Sequence, residues 1–478
     1  MNLAAITPEI VLMAGALLVM VLDVAGKGRR NLGWFAAIIL LVSALLIWRR
    51  FDYIDVGFSG MILADRYAHL FRLIIHVGAI LAALTAAGSW RGRGAASVFG
   101  SEYFGLMLVS VIGMDLLVLA NNMAVLFLGL EILSLPLYAM AAGRIRSDES
   151  VEAGAKYFLN GAFASGFTLF GIALVYGATA SFSFDGIGRA LATGGMMTAP
   201  LWWIGALLIA VGFFFKIAAV PFHLWAPDVY TGAPTPTVAF FSAAPKAAAI
   251  GLLLRLTQTT FVDLPIEPVL WTVAWLSMLV GNLWALRQRD LKRLLAYSGI
   301  AHVGYALVGL TAGGSGAVGA IGFYLLGYAG MSVGAFAAIC ALGNRGDVVT
   351  LDGIAGLGKR RPKTAAVLTI FMFGLAGIPP TVGFAGKFVL FSEAVHAGYI
   401  GLVVWAVLFS ALSLYYYLRV VVAMWMWAEP EDGPVVTGDG AALGLQSALV
   451  LAALISIIPG VYPQPFLELA ANSLFWLL

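Results

Sequence analysis

The chain has one cysteine, Cys340, and five scattered histidines in 478 residues. A single thiol closes no disulfide within the chain and supplies no iron–sulfur cluster, and histidines so few and so dispersed make no haem or zinc site. Charge is scarce too, with Asp, Glu, Lys and Arg together only 11% of the residues. The formal net charge of +3 is no nucleic-acid signature, because the basic residues fall between apolar runs. Long polar stretches are missing as well, which leaves no room for a soluble catalytic domain. No cofactor is expected in this chain.

What fills the sequence is apolar: 62% hydrophobic residues, 56 glycines and a mean hydropathy of +0.96. Apolar runs of 18 residues or more recur from end to end, each long enough for a bilayer of about 30 Å at 1.5 Å rise per residue. The runs are continuous and rich in Gly and Ala, unlike the alternating segments of a membrane barrel. An all-α polytopic membrane protein follows, a single membrane domain over 1–478. The first run, 8–25, reads as a span and not as a signal peptide, since Glu9 precedes its core and Lys27, Arg29 and Arg30 follow it.

Fourteen spans are predicted, at 7–26, 32–50, 64–88, 101–120, 123–142, 152–178, 201–220, 236–257, 268–287, 293–311, 316–342, 364–396, 400–427 and 441–460. The odd-numbered loops carry 16 Lys and Arg, the even-numbered ones 3. The positive-inside rule then makes the odd loops cytoplasmic and puts both termini on the outer side. One cytoplasmic loop contains Gly353-x-x-x-x-Gly358-Lys359, but Arg360 stands where a phosphate-binding loop needs Ser or Thr. It reads as a basic loop anchoring that face.

The informative residues are the ionisable ones left inside spans: Asp115, Glu131, Lys156, Lys216, Lys246, His302 and Lys387, with Glu102 and Arg255 nearer the ends. A charge at the bilayer centre costs about 2.5–3.5 kcal/mol on insertion scales, so such residues face a protein interior or a hydrated path. Lysine is the cation that can give up its charge. Burial disfavours the ammonium, a neighbouring carboxylate favours it, and a site between those extremes is switchable, whereas arginine stays protonated. Helix breakers accompany them. Pro221 follows Lys216, Pro245 precedes Lys246, Pro136 follows Glu131, and Pro379, Pro380, Gly383 and Gly386 lie just ahead of Lys387. Packed, kinked helices use Pro and Gly too. Still, interrupted seventh and twelfth spans, five apart, point to two inverted five-helix units, helices 4–8 over 101–258 and helices 9–13 over 268–427.

Five stretches carry a family resemblance: LGLEILSLPLYAM around Glu131, FFFKIAAVPFHLWAPDVYTGAPTP around Lys216, SAAPKAAAIGLLLR around Lys246, RQRDLKRLLAYSGIAHVGYAL around His302 and GIPPTVGFAGKF around Lys387. With them the chain resembles the antiporter-like subunits of respiratory complex I over nearly its whole length. The resemblance implies a fourteen-helix core, discontinuous helices 7 and 12, and one proton-translocating module of the membrane arm, driven by redox chemistry in neighbouring subunits. It implies roles as well: Glu131 and Lys216 as the input pair, Lys246 as the connecting lysine and Lys387 as the exit-side residue. Glu102, Lys156, Lys292 and His302 match further polar positions of the pattern. Among sibling subunits, two features sort it: a lysine and not a glutamate at 387, and a chain ending about 18 residues after its last span without a long lateral helix. Its expected partners are other membrane-arm subunits in a bacterial inner membrane, with no independent activity. A subunit of the related multisubunit cation/proton antiporters is the alternative. A stand-alone solute transporter and a passive scaffold are the readings from other classes, and the scaffold leaves three mid-span lysines unexplained.

Overall fold

The computed structural model describes residues 3–25, 31–89, 100–193, 200–261, 264–342, 349–429 and 442–473. In lipid every backbone N–H and C=O must be satisfied within the protein, which makes helices the natural outcome of such apolar runs. The first six are α1 (Thr7–Val24), α2 (Leu32–Arg49), α3 (Arg66–Gly88), α4 (Ser101–Leu119), α5 (Met123–Ala141) and α6 (Asp148–Thr179). A short α7 (Phe184–Thr193) precedes α8 (Pro200–Ile217), α9 (Trp225–Gly232) and α10 (Thr235–Thr259). The rest are α11 (Glu267–Ala285), α12 (Leu291–Ala312), α13 (Gly314–Leu342), α14 (Leu357–Arg360), α15 (Pro362–Ala376), α16 (Val382–His396), α17 (Ile400–Met426), α18 (Leu443–Val461) and α19 (Gln464–Ala471). Thirteen of the described helices are long and apolar enough to cross a membrane. The predicted twelfth span is the fourteenth pass, split into α15 and α16.

Side-chain caps set where several helices begin. Asp65, Asn122, Ser147 and Asp290 each accept from a backbone N–H in the first turn of α3, α5, α6 and α12. Close approach then fixes the pairs. A Cβ on Gly113 of α4 would lie 2.2 Å from the Leu133 nitrogen of α5, and one on Gly281 of α11 would lie 2.5 Å from the Ala301 nitrogen of α12. Only glycine lets these backbones meet. Helices α10 and α12 are enclosed on all sides and form the centre of the bundle. Between α2 and α3 a small antiparallel hairpin, β1 (Asp55–Gly57) with β2 (Ile62–Ala64), pairs Val56 with Leu63 and closes one end.

The seventh span breaks after Ile217. Pro221 has no N–H to give, and the freed polarity is taken up locally: the Trp225 indole donates to Phe215 O at 2.9 Å, and Val220 N donates to Ser277 Oγ at 3.0 Å. The twelfth breaks at Gly377, whose φ of +85° ends α15, and α16 resumes at Val382. Two other expected breakers do not break anything. Pro136 lies inside a continuous α5 and Pro245 inside a continuous α10, where packed neighbours hold the helix on both sides of the proline.

Lysines beneath tyrosine rings

Glu131 stands two turns into α5, and its Oε1 is buried without a hydrogen-bond partner. Its carboxylate acts electrostatically on Lys216, but among the described residues no ion pair joins them. Lys216, in the last turn of α8, is buried, and its Nζ too has no hydrogen-bond acceptor. What surrounds it is aromatic. The ammonium lies 5.4 Å from the ring centroid of Tyr138 on α5 and 5.4 Å from that of Tyr157 on α6. Tyr157 in turn stacks on Trp225 at 4.3 Å, so the residue that bonds across the helix break also backs a ring facing the lysine. A ring face attracts a cation without fixing it in one direction.

Lys246 on α10 repeats the theme. Its Nζ is 5.9 Å from the Tyr230 ring and 5.8 Å from the Tyr328 ring, and donates to Gly299 O on α12 at 3.3 Å. His302, buried one turn further along α12, has Nδ1 2.7 Å from the Tyr324 hydroxyl and Nε2 3.2 Å from that of Tyr417. The Tyr417 hydroxyl also bonds Ser298 Oγ. Both Lys246 and Lys387 are close enough to His302 to act on it electrostatically. Lys387 is held differently. Its Nζ donates to Leu375 O at 3.1 Å, Ala376 O at 3.2 Å and Ser410 Oγ at 2.9 Å, and lies 4.9 Å from the Tyr305 ring. Hydroxyl and imidazole groups both donate and accept, so a line of them can pass a proton on.

Lys292 is buried at the start of α12 and donates to Ala233 O at 3.1 Å, tying α12 to the end of α9. Lys156, expected inside its span, is in fact half exposed on the flank of α6, paired with Glu152 at 2.7 Å and Asp228 at 2.9 Å. Hydropathy places a residue along a helix but does not say which face it takes. Glu102 is exposed on the first turn of α4, and among the described residues no bond joins it to Glu131 or the lysines.

Several partners of the candidate site residues, and a second buried charged group, were not read from the sequence. Asp228 joins Lys156 to Arg293, which it meets at 3.1 Å, and so knots α6, α9 and α12 together. The carboxylate in WAPDVYTG, just past the predicted break, was the available signal. The tyrosine walls gave none, since a tyrosine in an apolar run is ordinarily core. A second buried group, Glu9, Arg72, His76 and Asp115, was half visible: RYAHLFRLIIHV puts His69, Arg72 and His76 on one face of α3.

Known proteins resemble this chain in sequence and in fold. The family described as NADH:quinone oxidoreductase/Mrp antiporter, TM, matches residues 120–413. NADH-quinone oxidoreductase subunit N of Trichlorobacter lovleyi is 42% identical, with 99% of this chain and 97% of that one covered. Among solved structures, a chain of respiratory complex I from Thermus thermophilus with bound aureothin is similar at a TM-score of 0.83 and 34% identity, covering 97% of this chain and 100% of that one. A chain of the Mrp complex from Dietzia sp. DQ12-45-1b shares the fold at a TM-score of 0.86 and 22% identity, covering 99% and 97%.

Proposed function

The chain belongs to the subunit N family of NADH–quinone oxidoreductases, and from that premise we propose that Glu131, Lys216, Lys246 and Lys387 form its proton path. It is an antiporter-like membrane-arm subunit of the multisubunit complex, a multi-pass inner-membrane protein whose part in the enzyme is proton translocation. The observation that carries the residue assignment is the set of three buried lysines under tyrosine rings, two of them close enough to act on His302 electrostatically. At Lys216 the rings hold the cation with no acceptor on its ammonium, so no hydrogen bond has to break before its proton leaves.

In the proposed cycle Glu131, while ionised, keeps the proton on Lys216. When a charge rearrangement in the adjoining subunit draws that carboxylate away, desolvation favours the neutral amine, and the proton moves inward towards Lys246. His302 with Tyr324, Tyr417 and Ser298 supplies a hydroxyl–imidazole bridge towards Lys387. Lys292, Lys156 and Glu102 serve the approaches to this path. Two inverted repeats, 101–258 and 268–427, frame it. Their element order supports that reading: each has three long helices, a short one, a broken pass and a closing helix, α4 to α10 and then α11 to α17. The 16-to-3 excess of Lys and Arg in odd loops supports outer-side termini. Direct contact with neighbouring membrane-arm subunits fits the partly exposed Glu152, Lys156 and Asp228 on one flank. Membership in a cation/proton antiporter complex is disfavoured by identity, 42% to a subunit N against 22% to the Mrp chain.

The test exchanges Lys216 in the intact complex. Lys216→Ala and Lys216→Arg should both lose proton translocation by about tenfold or more while assembly stays near normal, since guanidinium keeps its charge. Full pumping by Lys216→Arg would end the relay role.

A further inference from the structure

The group on α1, α3 and α4 lies outside the proposed relay, and its charges do not balance as ordinarily written. Arg72 Nη2 donates to Glu9 Oε1 at 2.6 Å, and Arg72 Nε lies 3.7 Å from Asp115 Oδ2. All three side chains are buried, Asp115 completely. Glu9 Oε2 and both Asp115 carboxyl oxygens are buried with no hydrogen-bond partner among the described residues. A carboxylic-acid proton would supply a donor that these oxygens lack, and would leave a single carboxylate facing the guanidinium.

The neighbours do not supply a second positive charge. Arg72 Nη1 donates to His69 Nδ1 at 3.4 Å, which makes that nitrogen a lone-pair acceptor and the ring neutral. His76 Nδ1 is 2.8 Å from the Arg72 carbonyl and must donate to it. Its Nε2 is 2.9 Å from Ser43 Oγ, a contact the neutral ring makes by accepting the hydroxyl proton, and the other acceptor of that proton, Pro8 O, is at 3.4 Å, beyond the usual O–H···O range. His76 Nδ1 is 3.8 Å from Asp115 Oδ1, too long for a hydrogen bond. Arg255, on the adjoining α10, is taken up by Asp65 at 2.7 Å. One guanidinium thus faces two buried acids.

We infer that Glu9 and Asp115 hold a single proton between them over Arg72, an additional one-proton site in the first four helices, independent of the lysine path. The ligand is a proton and not a metal ion, because the guanidinium occupies the place a cation would take. A dyad of like acids in low dielectric keeps one proton rather than ionising twice.

Charge-neutral amides test this in the assembled complex. Infrared spectra of the purified complex should show a deuterium-sensitive carboxylic-acid C=O band that is missing from both Glu9→Gln and Asp115→Asn, since each single variant leaves one carboxylate for Arg72. Both should assemble within about twofold of the unsubstituted chain, whereas the double variant, with Arg72 buried and unpaired, should fall about tenfold or more. His76→Asn should keep the band. If the band survives both single variants, or if His76→Asn lowers assembly as much as the double variant, the second positive charge is on His76 and the shared proton does not exist. If either single amide alone collapses assembly to the level of the double, both acids are ionised and the inference likewise fails.

Discussion

The two broken passes each bring a buried lysine to the gap, but they hold it in opposite ways. Lys216 sits before its break, in the last turn of α8, and its ammonium bonds none of the carbonyls there. Its ammonium meets two tyrosine rings and no acceptor. Lys387 sits after its break, in the second turn of α16, and reaches across to the last two carbonyls of α15 and to Ser410. A cation at a helix C-terminus is favourable on the macrodipole alone, and three acceptors add direction to it. The first lysine is therefore positioned by shape and by a distant carboxylate. The second is built into the backbone of the break it spans. One site is suited to switching, the other to holding.

That contrast can be broken most severely at Lys387. Lys387→Ala should lose proton translocation and also reduce the amount of assembled complex, because the Leu375 and Ala376 carbonyls would be left buried and unpaired at about 1–3 kcal/mol each. Immunoblot of the membrane arm beside a pumping assay separates the two losses. Next in size, Glu131→Gln should reduce pumping by about tenfold with normal assembly, since no ion pair is dismantled and only the long-range field on Lys216 goes. Collapse of assembly in that variant would show that Glu131 is a structural partner after all. Ser410→Ala removes one of three acceptors from Lys387 and should cost about 1 kcal/mol, seen as a small drop in the thermal stability of the complex with pumping largely kept. Smallest is Cys340→Ser. The thiol is 2.9 Å from Ser89 Oγ, a contact a serine hydroxyl also makes, and quinone-reductase and pumping rates should match the unsubstituted chain.

Much of this was legible before any coordinates. Span length and hydropathy marked the passes, and the Pro and Gly clusters at 221 and at 379–386 marked the two breaks, because lipid tolerates neither a charge nor an unpaired carbonyl without a structural reason. Prolines alone were misleading. Pro136 and Pro245 are equally conspicuous in the sequence, yet α5 and α10 run through them, since whether a missing hydrogen bond opens a helix depends on what packs beside it. Burial was legible for Lys216, Lys246 and Lys387 but not for Lys156, whose helix presents that face outward. Partners were not legible at all: Asp228 meets Arg293 across 65 positions and Glu9 meets Arg72 across 63, separations at which only the fold decides who is adjacent.

The grip of Lys387 on the end of α15 has a reciprocal side. By thermodynamic linkage, whatever factor the two carbonyls contribute to keeping that proton bound, the bound proton contributes to keeping the half-helices docked. We expect proton loss at Lys387 to loosen the gap between α15 and α16, and any partner that pries the half-helices apart to expel the proton by the same factor. Amide hydrogen exchange at Gly377 and Ile378, followed through the titration of the complex, would report the two events as one.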